Sequence, residues 1–200
     1  MEHRHHRSVM LRSKPSMNDA RMLSLVIAPD PIYKTICTPV AAVDDTVRQT
    51  LEAMMQTLRA YDALGLGAPM VGLTQRLAVV ELEDEAGVLH SYRMVNPVIT
   101  ERSSELHTSE EGAITFLGIA APVTRPAEVT VEFLNEQGEQ QSVRARGIVS
   151  TCIQHELDYL DGKTILDHQS PMKRDILKRK IEKNKRLGPL PHVHGPHCNH

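Results

Sequence analysis

The chain of 200 residues has no tryptophan, and four tyrosines with two phenylalanines bring aromatics to only 3%. The core is therefore expected to rest on Leu, Ile, Val, Met and Ala. Cysteine is nearly as scarce. Cys37, Cys152 and Cys198 make an odd, scattered set without a CxxC pair, which argues against a disulfide framework and for a reducing compartment. A dominant charge is missing too: the net value of -2 gives no global pull toward nucleic acid or a membrane surface. No apolar run approaches the roughly 18 residues of a membrane span. The first 22 residues carry Arg4, Arg7, Arg12, Lys14 and Arg21 but no apolar stretch, so they do not read as a secretory signal. These absences point to a cytoplasmic protein without membrane contact; the basic N-terminal stretch reads as a floppy bacterial extension, with organelle targeting as the lesser reading.

What is present fits one globular domain. Residues 1–22 read as a flexible N-terminal extension, 23–187 as the domain and 188–200 as a disordered tail. Asp44-Asp45-Thr46 is a helix N-cap signal, followed by Val47, Leu51, Met54, Met55, Leu58 and Tyr61 at helical spacing. Strand-like runs cover Leu77–Glu83, Ser91–Val95, Glu128–Leu134 and Gln140–Ala145, the last two joined by the turn Asn135-Glu136-Gln137-Gly138. A second helix is predicted from Gly147 to Leu160, with Ile148, Cys152, Leu157 and Leu160 burying it. A third spans 170–187, opened by Ser170-Pro171. Hairpins outnumber βαβ units, so the fold class is α+β, with antiparallel sheets around a central motif-bearing helix.

That helix carries Gln154-His155-Glu156-Leu157-Asp158-Tyr159-Leu160-Asp161-Gly162. In an HExxH motif two histidines four apart share one helix face and hold a metal, while the Glu handles the proton. Here the second histidine is Tyr159. Two stretches upstream accompany it: Ala63-Leu64-Gly65-Leu66-Gly67-Ala68-Pro69-Met70 and Glu111-Gly112-Ala113-Ile114-Thr115. Together the three stretches resemble the peptide deformylase family, which carries GxGLAAPQ, EGCLS and QHExDHLxG in this order and at about this spacing. Met94-Val95-Asn96-Pro97 adds to the match, which runs from about Leu23 to Asp167.

The resemblance implies that a Cys and two His bind ferrous iron or zinc, at the positions of Ala113, His155 and Tyr159. Ala113 has no donor atom, and a phenol is a poor ligand at neutral pH. His155 is then a residual, weak metal position, and no cofactor is expected in the site. Glu156 is the remnant general acid/base. Gly65, Met70 and Ile114 occupy substrate-binding positions, although Met70 replaces a Gln whose amide would steady the oxyanion. The plain readings are that His155 is a core histidine bonded to Glu111 or a backbone carbonyl, and that Tyr159 and Met70 plug the emptied cavity.

Two functions follow from the resemblance. The first is a monomeric pseudoenzyme without ordinary deformylase activity, binding N-terminal methionyl peptides or the ribosome. The second is an active hydrolase removing the N-formyl group from nascent-chain methionine, with Fe2+ or Zn2+ on a rebuilt set such as His155, Glu156, Tyr159 and Glu111. The run Lys173–Arg186 concentrates eight Lys or Arg on one predicted helix, a surface suited to phosphate-rich partners or simply to solvent; the resemblance implies ribosomal RNA as the candidate partner. The tail with His192, His194, His197, Cys198 and His200 suits adventitious Ni, Zn or Cu.

Overall fold

A computed structural model describes residues 22–187. The expected N-terminal extension (Met22 apart) and the His-rich tail lie outside the described residues.

Helix α1 (Asp45–Ala60) starts where Asp44 accepts the Val47 N–H at 2.9 Å, satisfying one of the orphan amides of a helix start. It buries Val47, Leu51, Met54, Met55 and Leu58. Tyr61, expected on the same face, is 43% exposed because it lies at the C-cap, past the last turn.

Five strands, β1 (Gly65–Gly67), β2 (Leu77–Glu83), β3 (Leu89–Arg102), β6 (Glu128–Leu134) and β7 (Gln140–Arg146), form one antiparallel sheet in the order β1-β2-β3-β6-β7. Strands β4 (Leu106–Gly112) and β5 (Ala120–Pro126) form a separate pair. The hairpin turn after β6 closes with Gly138 N–H donating to the Asn135 carbonyl at 2.9 Å.

Two departures from the sequence expectation concern the strands. Strand β3 runs past Ser91–Val95 to Arg102 because the backbone shifts register around Val95/Val98, absorbing Pro97 instead of ending there. Asn96 sits at φ 52 and clasps Val40 through both its amide oxygen and its amide nitrogen. Strands β4 and β5 escape detection because one is polar and the other contains Pro122 and Pro126, residues that normally argue against a strand. In β5 every second residue, Ala121, Val123 and Arg125, is buried, so a charged side chain occupies an inward position.

Helix α2 (Gly147–Leu160) is buried nearly all round, as a central helix must be. Glu85, from the β2–β3 hairpin, accepts the Ile148 N–H at 3.2 Å, placing a carboxylate at the positive helix end. Val149 and Ile153 are fully buried while Ile148, expected in the core, is only half-buried. Aliphatic residues dominate the core, but Tyr33, Phe116, Phe133 and Tyr159 are buried with them, so the scarce aromatics are concentrated inside.

Helix α3 (Pro171–Leu187) docks through Leu177, Ile181 and Asn184. Met172 and Ile176 lie outside this contact, 76% and 57% exposed. Two of its cations turn inward: Arg174 donates to the Leu166 carbonyl, and Lys185 to the carbonyls of Ile27 and Pro29. No helix among the described residues is long and apolar enough to cross a membrane.

Candidate functional site

Helix α2 presents His155, Glu156 and Tyr159 toward β1, the turn Ala68–Val71 and the end of β4. His155 Nδ1 lies 2.8 Å from Glu111 Oε2. Glu111 in turn takes two bonds from Arg125, at 2.7 Å and 2.8 Å. A bidentate guanidinium–carboxylate pair keeps Glu111 ionised and acceptor-only, so His155 Nδ1 is the donor. Arg125 also reaches Asp158 at 2.8 Å, and Asp158 meets His168 at 2.7 Å. A continuous chain, His155–Glu111–Arg125–Asp158–His168, therefore runs past α2.

The charges in this chain explain its titration. Burial alone would raise Glu111, but the Arg125 and His155 hydrogen bonds outweigh it and hold the carboxyl below its usual range. Burial alone would lower His155, yet the Glu111 bond and the nearby Glu156 and Glu111 charges leave it raised.

Glu156 lies outside this network. Its carboxyl packs onto β1, where the chain comes so close that a Cβ on Gly65 would stand 2.5 Å from Glu156 Oε1. Glycine is required there by the close approach. Burial pushes Glu156 up to about 7, against the opposing pull of His155 and the Gly67 amide. Its Oε2 has no hydrogen-bond partner among the described residues.

Tyr159 is wholly buried. Its ring meets His155 edge-on, with centroids 5.1 Å apart at 71°, and packs near Tyr33 at 5.6 Å and Phe116 at 6.2 Å. Its hydroxyl also has no partner among the described residues, and burial holds the phenol well above its ordinary pKa. Met70 is buried in the hydrophobic core that also holds Tyr159, and Ala113 and Ile114 are half-buried against that core. The Met70 and Thr115 carbonyls accept N–H bonds from Val26 and Ala28, at 2.8 Å and 2.9 Å.

The structure thus joins Gly65 to Glu156, Tyr159 to His155, and His155 to Glu111. Sequence reading passed over Arg125, Asp158, His168, Tyr33 and Phe116. Asp158 lay inside the quoted motif. Arg125 had no motif of its own; the available signal was that a buried Glu111 needs a cation. Among the described residues no group of three His, Cys, Asp or Glu is poised to hold a metal ion.

A family model described as polypeptide deformylase matches residues 22–175. The chain belongs to the polypeptide deformylase family. A protein named peptide deformylase-like from Rickettsia conorii is 41% identical over 182 residues, covering 91% of this chain and 98% of that one. A peptide deformylase from Rhizobium meliloti is 35% identical, covering 80% and 91%. The crystal structure of peptide deformylase from Ehrlichia chaffeensis superposes with a TM-score of 0.79 at 30% identity, covering 83% and 98%. The deformylase family is one of metal-dependent hydrolases, and this chain has its α+β fold over almost the full length of these relatives. At the three motif positions this chain carries Met70, Ala113 and Tyr159.

Proposed function

We propose that this deformylase-family protein binds the N-terminal methionyl segment of a peptide without hydrolysing a formyl group. The single observation that carries the reading is Tyr159. Its ring fills the space beside His155, and its hydroxyl is a neutral, buried phenol. A divalent ion does not fit this donor set. Ala113 offers nothing, Glu111 is committed to Arg125 and His155, and one imidazole is short of the three protein ligands of a catalytic site. Glu156, with a carboxyl titrating at about 7, retains the property of a proton carrier but lacks an activated water to act on.

Peptide binding rests on backbone rather than on ligands. Strand β1 ends its sheet, with β2 as its only strand partner among the described residues; its residues are buried and the Gly67 amide faces Glu156, so an extended peptide would add to this edge in place of that contact. The exposed cations of α3, Lys178, Arg179, Lys180, Lys183 and Arg186, favour a phosphate-rich partner such as the ribosome.

The test has two arms. Metal content is measured on chain ending at Leu187, which lacks the chelating tail, and turnover of a formyl-methionyl peptide is measured on the full chain. The expected results are metal far below one ion per chain and no turnover. Stoichiometric metal with turnover would replace this reading by the active hydrolase. The triple variant Met70→Gln, Ala113→Cys, Tyr159→His is expected to gain both metal and turnover. Each single change is expected to gain neither, because the ligands act as a unit.

A further inference from the structure

A cavity of about 290 Å³ opens on the far end of the buried chain, lined by Arg125, Asp158 and His168 but not by Glu111 or His155. Its size is at the low end of small-molecule sites. Arg125, with its side chain only 6% exposed, and the buried Gln154 and Leu157 belong to the lining. Arg76, Arg102 and Lys163 complete its positive side, and Val98 and Ile99 supply an apolar one.

The lining charges do not cancel. Asp161 is held by Arg76 at 2.7 Å, and Asp158 is shared by Arg125 and His168 at 2.8 Å and 2.7 Å. Arg102 and Lys163 have no acidic partner among the described residues. Arg76 spends Nη1 on Asp161 and Nε on the Pro97 carbonyl, and its Nη2 has no acceptor among the described residues. A cleft with surplus positive charge and low-dielectric walls concentrates anions. Its apolar side adds affinity for a short hydrocarbon chain.

We propose that this cavity is a second binding site, for a small carboxylate or phosphate anion, with Arg102 and Lys163 as its principal cations and Arg76 assisting. The site is separate from the peptide-binding reading and does not depend on it. Arg125 links it to the motif, since the guanidinium that lines the cavity also fixes Glu111 against His155.

The full chain, labelled with 15N, is titrated with inorganic phosphate and separately with pentanoate, each against chloride at matched ionic strength. Saturable shifts are expected at the amides of Ile99, Thr124, Leu157 and Lys163, with a smaller change at the His155 ring. Tighter binding of pentanoate assigns a carboxylate with an apolar tail, whereas tighter binding of phosphate assigns a phosphorylated ligand. The double variant Arg102→Ala, Lys163→Ala changes two exposed side chains, and its amide spectrum checks that the fold is kept. Its affinity is expected to fall at least tenfold, while Lys178→Ala, Lys183→Ala on α3 leaves affinity unchanged. Shifts confined to α3, undiminished affinity in the double variant, or no saturation with either anion would overturn the proposal.

Discussion

Replacing Tyr159 by phenylalanine removes one oxygen from the middle of the motif and keeps the ring. That ring is wholly buried between His155, Tyr33 and Phe116, and its hydroxyl has no hydrogen-bond partner among the described residues. A buried hydroxyl without a partner costs about 1–3 kcal/mol of desolvation. Phenylalanine avoids that cost and forfeits only the few contacts made by one oxygen, each about 0.1–0.2 kcal/mol. The expected result is a protein more stable by about 1–2 kcal/mol. For a chain of this size each kcal/mol moves Tm by roughly 2–4 °C, so the melt rises by about 2–8 °C. Thermal unfolding by circular dichroism, with urea unfolding as a second probe, reads this directly. Tyr159→Ala provides the contrast: it empties the cluster and is expected to cost about 3–5 kcal/mol. If Tyr159→Phe instead destabilises by about 1 kcal/mol or more, the hydroxyl holds a partner. The argument that the tyrosine is a neutral plug would then fail.

Further predictions concern its neighbours. Glu156 is raised to about 7, so between about pH 4.5 and 7 the folded chain keeps a proton that the unfolded chain loses. Stability from this group therefore falls as pH rises through that window and is flat above it. Glu156→Gln should be more stable at pH 8 by up to about 3 kcal/mol and nearly neutral at pH 4.5; urea titrations showing the same difference at both values would refute this. Arg125→Leu takes from Glu111 and Asp158, both largely enclosed, the guanidinium they share, leaving each only a histidine, and should cost about 3–5 kcal/mol; a loss under about 1 kcal/mol would mean the chain of charges contributes nothing. Gly65→Ala drives a Cβ to 2.5 Å from Glu156 Oε1 and should cost about 1–3 kcal/mol. The loss should shrink in a Glu156→Ala background, and an equal loss there would place the strain elsewhere.

Local signals located the helices well. Asp44 and Ser170-Pro171 mark helix starts whose physics is contained in a few neighbouring residues. Strands β2 and β6 were bounded correctly for the same reason: their apolar runs end where turn residues begin. Strands β4 and β5 were not, because what stabilises them is pairing with each other and packing of Val123 and Arg125 inward. No local residue preference reports either.

The motif residues show the same division. Their identities alone establish that Ala113 has no donor atom and that Tyr159 is a phenol rather than an imidazole, since chemistry at an atom is a property of the residue. Whether Tyr159 stands open to solvent or fills the interior was decided by Tyr33 and Phe116, which arrive from distant parts of the chain. The state of His155 was likewise decided by Glu111 and Arg125, on β4 and β5. Sequence determined which groups are available; tertiary structure determined their partners, burial and titration, because electrostatic energy depends on distances that spacing along the chain does not contain.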